Sequence, residues 1–193
     1  MTTLPDWLHL PPEGITAEAY EAMPEDVCRR IEVVDGGVVV VPAPTRSHQT
    51  FVRHLASLIE AAVGEDLAVV TGADLRLRDT PLLNRRPDVV VYDANVPDDQ
   101  VLRPGDCTLV VEVMSVGSVI TDQLDKLAEY AAAGIEHYWR VENYDDPDRR
   151  QVFRYITSPA SGTYHPAAPG GHAVSTKSPF AIDLDLHDVA RKL

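Results

Sequence analysis

Two apolar stretches, RRPDVVVYD at residues 85–93 and TLVVEVMS at residues 108–115, predict the strands around which this chain folds. The first is a run of valines behind Pro87, and a proline fits the first position of a strand because its missing N–H group is not needed there. The second has apolar residues at almost every position, as in a strand that is buried on both faces. We therefore expect the second stretch at the centre of a mixed sheet.

The residues before these stretches predict two helices and a hairpin. Thr16 is a good N-cap for a short helix that ends before Pro24. Two β-branched runs in RIEVVDGGVVVVP, residues 30–42, flank an Asp-Gly pair, which is a strong hairpin signal. A longer helix, capped by Ser47, is expected over residues 47–64 because its apolar residues recur at helical spacing.

The order of elements along the chain indicates the fold class. The remaining expected elements are two strands at 67–71 and 73–77, a helix at 121–133, a hairpin of 137–143 and 151–157, a loop with one short strand at 158–178, and a docking strand with a helical turn at 182–193. We predict a single α/β domain over residues 1–193, with a mixed central β-sheet flanked by helices. Its core covers about residues 16–156, and residues 157–193 form a C-terminal loop and docking segment.

The composition fits an ordinary globular domain and excludes several classes of protein. The chain has 193 residues, of which 45% are hydrophobic and 24% charged, so disorder, collagen and coiled coil are poor fits. No apolar run reaches the roughly 18 residues of a membrane helix, and the N-terminus lacks the basic start and apolar stretch of a secretory signal. Cys28 and Cys107 are too few for a disulfide scaffold. We therefore expect a soluble cytoplasmic protein without a membrane partner.

Glu112 fits its surroundings least, because every neighbour in LVVEVM is apolar. An ionised carboxylate that is buried without compensation destabilises the fold strongly, so such a group is paired, neutralised or bound to a metal. Two interpretations stay open at this point, a buried salt bridge to an arginine and a metal ligand.

Asp88 and Lys126 extend the metal interpretation to three residues. Asp88 stands at the head of the valine-rich strand, where it is either an ordinary turn residue or a second ligand, since two carboxylates at neighbouring strand ends can share one Mg²⁺. Lys126 is one of three lysines in the chain and lies on the helix after the Glu112 strand. It either pairs with Asp122 on the surface or, beside a metal, orients a water and offsets charge on a phosphate.

Glu32 and His48 are weaker candidates, and other catalytic motifs are missing from the sequence. Glu32 opens the expected hairpin and His48 the long helix, where a solvent-facing strand residue and a locally bonded histidine are the ordinary interpretations. The sequence has no Gly-x-Ser-x-Gly elbow, no Gly-x₄-Gly-Lys phosphate loop and no Gly-x-Gly-x-x-Gly. Hydrolase triads, nucleotide switches and dinucleotide enzymes are therefore disfavoured.

In combination, these stretches resemble the PD-(D/E)XK nuclease superfamily, and most of all its bacterial family called Uma-type putative restriction endonucleases. The resemblance covers roughly residues 16–156 and is carried by four stretches in order, namely IEVVDGGVVVVPAPTRSHQ, RRPDVVVYD, LVVEVMSVGS and TDQLDKLAEYAAAGIEHYW. It implies a restriction-endonuclease-like fold. It also implies an endonuclease that uses Mg²⁺ or Mn²⁺ to hydrolyse phosphodiester bonds, with nucleic acid, and DNA in particular, as its partner.

The resemblance further implies a role for each site residue. Asp88 and Glu112 would be the principal metal ligands, and Glu32 would complete the metal site. Lys126 would be the catalytic lysine, which has moved to this helix from the position that Met114 occupies here. Three further residues match recurrent positions without an assigned chemistry: His48, Gln49 and Asp122.

Two loops depart from the family pattern and keep other functions open. Gly37 stands where relatives often have an acidic residue, and residues 115–118 read Ser-Val-Gly-Ser instead of Ser-Pro-Ser. With the net charge, these departures favour as an alternative a nuclease fold that serves as a partner or structural module with little catalysis. A Mg²⁺ enzyme acting on a small phosphorylated substrate is a third option. A homodimer would suit cleavage of both strands of a duplex.

The net charge of −13 bears on the strength of any contact with nucleic acid. A phosphate backbone is bound by a basic surface, so the average surface of this protein repels it. Six arginines near the expected site act either as solvated surface or as a local strip for phosphates: Arg46, Arg53, Arg76, Arg78, Arg85 and Arg86. The sequence therefore predicts weak binding to nucleic acid that depends strongly on salt and metal.

Overall fold

A computed structural model describes residues 14–114, 120–158 and 161–190, with the backbone alone at residues 120–123. The α-helices are α1 (Ala17–Glu21), α2 (Glu25–Cys28), α3 (Arg46–Glu60), α4 (Ile120–Ala132) and α5 (Leu186–Ala190). The strands are β1 (Ile31–Val34), β2 (Gly37–Val40), β3 (Leu67–Thr71), β4 (Leu75–Arg78), β5 (Leu83–Arg85), β6 (Val89–Asp93), β7 (Cys107–Met114), β8 (His137–Glu142), β9 (Gln151–Ser158), β10 (Thr163–Gly171), β11 (Ala173–Thr176) and β12 (Ile182–Asp185). Within these ranges, none of the helices has the length and apolar character needed to cross a membrane.

The described strands form three sheets. The largest is a six-stranded mixed sheet in the order β10-β9-β8-β7-β6-β3, in which β7 and β8 are parallel and the other neighbours antiparallel. Helix α4 provides the crossover that a parallel pair requires. A four-stranded antiparallel sheet has the order β2-β1-β5-β4, and β11 pairs with β12. The prediction of an α/β fold with a mixed central sheet is confirmed.

Both faces of the six-stranded sheet are covered, which explains why its middle strands are apolar almost throughout. On one face, Val111 and Val113 of β7 belong to a buried cluster with residues of α3 and α5. On the other face, Val110 belongs to a cluster with Tyr130 of α4. Because side chains alternate along a strand, Glu112 lies on the same face as Val110 and therefore beneath α4.

The inner side of α4 differs from what helical spacing predicts. The apolar pattern places Leu124 inside together with Leu127 and Ala131, yet the Leu124 side chain is 58% exposed. Lys126 and Tyr130 are buried instead. Residues four apart share a helix face, so both of these side chains point towards β7. Both side chains contact Glu112 of β7.

The expectation of a mainly irregular segment at residues 158–178 is wrong. In the described part of this segment, β10 runs for nine residues antiparallel to β9, and β11 follows after a single residue. The register shifts on either side of Ala168 accommodate a strand that contains prolines and glycines. An edge strand tolerates proline because one row of its N–H groups needs no partner, and turn-like composition therefore hides it in the sequence.

Candidate metal centre

A cleft of about 750 Å³ is lined by residues of β1, α3, β7 and α4 and by the residue that precedes β6. Five of the sequence-predicted site residues line this cleft: Glu32, His48, Asp88, Glu112 and Lys126. Gln49 lines a neighbouring cavity of about 800 Å³ instead. The side chain of Asp122 lies outside what the structure describes. Residues more than 90 positions apart in the chain are thus brought to one cavity.

Asp88 and Glu112 are neighbours across two antiparallel strands. Val89 of β6 pairs with Val111 of β7, so the same register continued by one residue places Asp88 opposite Glu112. The Asp88 Oδ2 atom accepts a hydrogen bond from the Val113 N–H at 2.7 Å. Its Oδ1 atom accepts one from Nε2 of His48 at 2.9 Å. The carboxylate is held in place by these bonds, yet 23% of the side chain is exposed to the cleft.

Glu112 is buried at the inner end of the cleft. Its Oε1 atom accepts a hydrogen bond from the Tyr130 hydroxyl at 2.8 Å and lies 3.2 Å from Nζ of Lys126. Desolvation raises the pKa of Glu112 to about 7; Asp88 and Glu32 add to this effect, whereas Lys126 opposes it. Neither protonation state of Glu112 is therefore strongly favoured at neutral pH, and a further cation in the cleft would stabilise the ionised form.

A chain of buried ion pairs continues behind the two carboxylates. Nζ of Lys126 lies 3.1 Å from Oε1 of Glu32, and Oε2 of Glu32 accepts a hydrogen bond from Arg85 at 2.7 Å. Arg85 forms two further bonds of 2.7 and 2.8 Å with the Glu129 carboxylate. Burial would raise the pKa of Glu32, but Lys126 and Arg85 lower it overall, so Glu32 is ionised at neutral pH. The ordinary expectation of a solvent-facing strand residue at position 32 is wrong.

The charges of this network do not cancel. Three carboxylates, those of Glu32, Glu112 and Glu129, contact the two cations Lys126 and Arg85, and Asp88 adds a fourth carboxylate opposite Glu112. With Glu112 ionised and His48 neutral, the network therefore carries a surplus of two negative charges. A surplus of this size matches a divalent cation, and carboxylate oxygens are the ligands that Mg²⁺ and Mn²⁺ prefer.

His48 is positioned by the first turn of α3. Thr45, and not the expected Ser47, is the N-cap of this helix, and its hydroxyl accepts a hydrogen bond from the His48 N–H at 3.2 Å. The imidazole packs edge-on against Tyr144, with ring centroids 5.4 Å apart. Burial tends to lower the pKa of His48, but the bond to Asp88 raises it overall. Because a carboxylate can only accept, Nε2 of His48 carries the shared proton.

Comparison with known proteins agrees with the fold. The family model Uma2, described as "Putative restriction endonuclease", matches residues 17–187. The chain belongs to the Uma2 family. Its fold is similar to the crystal structure of a putative nuclease belonging to DUF820 from Anabaena variabilis ATCC 29413, with a TM-score of 0.65. That alignment covers 91% of this chain and 97% of the other at 17% identity, so it shows the fold alone. No curated protein matched the chain.

Two residues of this Uma2 site, Tyr130 and Glu129, were not expected from the sequence. Arg85 was expected as solvated surface or as a phosphate contact, and it is instead buried between two carboxylates. The spacing of four residues between Lys126 and Tyr130 is a signal that could have indicated Tyr130. Burial and the neighbouring Glu112 raise the pKa of Tyr130 well above its usual value. Its hydroxyl therefore stays protonated and remains a donor to the carboxylate.

The expected arginine strip of the Uma2 chain is largely neutralised by ion pairs. Arg85 pairs with Glu32 and Glu129, and three more arginines each have a carboxylate partner: Arg76 with Glu21, Arg78 with Asp35 and Arg86 with Asp74. Arg46 and Arg53 are exposed. Contact with phosphates would therefore require several arginines to exchange a protein partner for the ligand.

Proposed function

We propose that this Uma2 protein is a metal-dependent endonuclease that hydrolyses phosphodiester bonds, with DNA as the expected substrate. The observation that carries the proposal is that Asp88 and Glu112 lie opposite each other on two antiparallel strands and both line one open cleft. Family membership and the fold of the Anabaena neighbour support a nuclease.

The donor set of the cleft fits a hard divalent cation such as Mg²⁺ or Mn²⁺. Asp88 and Glu112 would hold the ion, and the open cleft leaves room for the waters that these ions retain. Glu32 is also expected to contribute to the metal site. Its Oε1 atom would have to exchange Lys126 for the ion, so in the observed geometry its contribution is to hold Lys126.

When bound, the metal lowers the pKa of a bound water and stabilises negative charge on the scissile phosphate. The residues of this chain supply the surroundings for that chemistry. Glu32 and Glu112 hold Nζ of Lys126 between them, where the ammonium can donate to the attacking water or to a phosphate oxygen. His48 fixes the orientation of Asp88 through Oδ1, and Tyr130 fixes that of Glu112 through Oε1.

A cleavage assay tests the proposed activity directly. Supercoiled plasmid, single-stranded DNA and RNA are each incubated with the protein in Mg²⁺, in Mn²⁺ and in EDTA, and we expect cleavage only with a metal. Lys126→Met should lower the rate by about 10²–10³-fold, the range typical of losing one positioned proton donor or cation. Lys177→Met is the matched control, since Lys177 is exposed and lies outside the cleft. Cleavage that persists in EDTA, or is unchanged in Lys126→Met, contradicts the proposal.

The pKa of Glu112 leads to a pH-dependent prediction for metal binding. The folded, metal-free protein holds this pKa at about 7, above the ordinary 4.5, so ionisation of Glu112 destabilises the fold as the pH rises between these values. A metal ion binds the ionised form. We therefore expect Mg²⁺ or Mn²⁺ to raise the Tm more at about pH 8 than at about pH 5.5, where Glu112 is protonated. Thermal unfolding at both pH values measures this difference, which should vanish in Glu112→Gln; equal shifts in the unaltered protein speak against it.

The alternative function, a nuclease fold that acts as a partner module with little catalysis, is favoured by one observation. Among the arginines that line the cleft, Arg29 and Arg86 are already paired with carboxylates and Arg30 is exposed, so little local charge remains for a phosphate backbone. A protein that cuts none of the three substrates and shows no metal-induced change in Tm would support this alternative.

A further inference from the structure

A second group of metal-binding side chains lies outside the cleft, near the C-terminal end of the described chain. His172 follows β10, Asp185 ends β12 and His187 lies in α5. Ligand atoms of these three residues, one from each, all lie within 4.8 Å of one another. The centroids of the two imidazole rings are 5.1 Å apart, and the ring planes are tilted by 43°. None of the three residues lines the cleft that holds Asp88 and Glu112.

The backbone brings this second group together before any ion binds. Ala173 pairs with Asp185 in the β11–β12 ladder, which places His172 beside the end of β12. The Leu186 N–H donates to the His172 carbonyl at 2.9 Å, and the His187 N–H donates to Oδ1 of Asp185 at 2.8 Å. A site that is assembled in advance loses less conformational entropy on binding, which favours affinity.

The donors of this group differ in chemistry from those of the cleft. Two imidazole nitrogens and one carboxylate oxygen suit Zn²⁺ and its neighbours among the transition metals, with water in the fourth position. We propose that His172, Asp185 and His187 form a second metal site, which binds a transition-metal ion of the Zn²⁺ type and ties the β12–α5 end of the chain to the residue that follows β10. This inference is independent of nuclease activity.

Arg150 is a cation beside the proposed site, but its contacts leave the site usable. Its Nη1 atom lies 3.4 Å from Nδ1 of His187, which is at the long end of hydrogen bonding, so His187 gives up little when a metal replaces this contact. Nε of Arg150 donates to the Tyr144 carbonyl at 2.8 Å, which holds the guanidinium towards the core. The carboxylates of Asp145, Asp146 and Asp185 also act on Arg150 and offset its charge.

An ion at this position would stabilise an element that is weak by itself. Helix α5 has five residues, far fewer than an isolated helix needs, and it is held by burial of Leu186 and Val189. It packs on α3, where Nδ1 of His54 lies 3.3 Å from the Val189 carbonyl. A metal that joins the end of β12 and the start of α5 to His172 would therefore oppose local detachment of α5 from α3.

The test is a titration of the metal-free full chain with Zn²⁺, carried out in the Glu112→Gln background so that the cleft has lost a ligand. We expect one Zn²⁺ per chain by calorimetry and a rise in Tm of roughly 5–10 °C at about 100-fold excess over the Kd. Mg²⁺ should have no such effect in this background. Co²⁺ should give the visible absorption bands of a site with nitrogen donors.

Substitutions at the site separate it from other binding. His172→Ala and His187→Ala should each remove the bound Zn²⁺ and the rise in Tm, and both histidines are exposed, so folding is expected to persist. Asp185→Asn keeps an oxygen for the His187 N–H but lacks the charge, and should weaken binding. His165→Ala, at another exposed histidine on β10, is the control that should change nothing. The same Zn²⁺ stoichiometry in all variants, or binding at the cleft alone, would overturn the proposal.

Discussion

Glu112→Gln is expected to lower the rate of metal-dependent cleavage by about 10³-fold or more. The substitution removes one of the two principal carboxylate ligands, and the bound ion then loses several kcal/mol of stabilisation. Glutamine has the same size as glutamate, and its amide oxygen can still accept the hydrogen bond of the Tyr130 hydroxyl. The substitution therefore removes charge without opening a cavity. A loss of activity in this variant can therefore be told apart from a loss of folding. A change to alanine would open a cavity and would mix the two effects.

Two measurements check this expectation. The rate of plasmid nicking in Mg²⁺ and in Mn²⁺ reports the activity, and the metal-induced change in Tm reports binding at the cleft. Glu136→Gln is a matched control, because that glutamate directly precedes β8 and its side chain is 71% exposed. A Glu112→Gln protein that cuts at the unaltered rate, with an unchanged response to metal, would remove Glu112 from the proposed site.

The central strands and their two carboxylates are the part of the molecule that a single sequence describes best. Alternation along β7 separates Val111 and Val113 from Glu112, and an apolar stretch with one acid at its centre has few stable interpretations. The Pro-Asp pair sets Asp88 at the start of β6. Sequence alone does not say that these strands are antiparallel neighbours, yet that pairing is what places Asp88 opposite Glu112.

The ion pairs behind the site could not be predicted, because their partners are distant in the chain. Glu32 and Arg85 are separated by 53 residues, and Arg85 and Glu129 by 44. Local pattern shows only that Glu32 opens a hairpin and that Arg85 precedes a strand. The partners in these ion pairs depend on the pairing of β1 with β5 in a separate four-stranded sheet and on the rotation of α4. The same argument explains why the apolar pattern places Leu124 inside and why two interpretations of Lys126 stayed open.

Arg85→Met is expected to cause the largest loss of stability, about 3–5 kcal/mol of the free energy of unfolding. Only 3% of the Arg85 side chain is exposed, and it lies between the carboxylates of Glu32 and Glu129. Methionine fills similar space but leaves the buried Glu32 carboxylate and the half-buried Glu129 carboxylate without this cation. Urea unfolding near neutral pH measures the loss, with Arg53→Met, at an exposed arginine of α3, as the control.

The origin of this loss in uncompensated charge can be tested in two ways. Protonation of Glu32 removes part of the excess charge, so the deficit of Arg85→Met should shrink as the pH falls below about 4.5, the ordinary pKa of this carboxyl group, which Lys126 and Arg85 lower in the unaltered protein. Adding Glu129→Gln to Arg85→Met should recover part of the stability, as a double-mutant cycle would show. A deficit under about 1 kcal/mol that does not change with pH would mean that the network contributes only packing.

Because Glu32 also holds Lys126, Arg85→Met should slow cleavage even where the protein remains folded, which links the buried ion pairs to the geometry of the site.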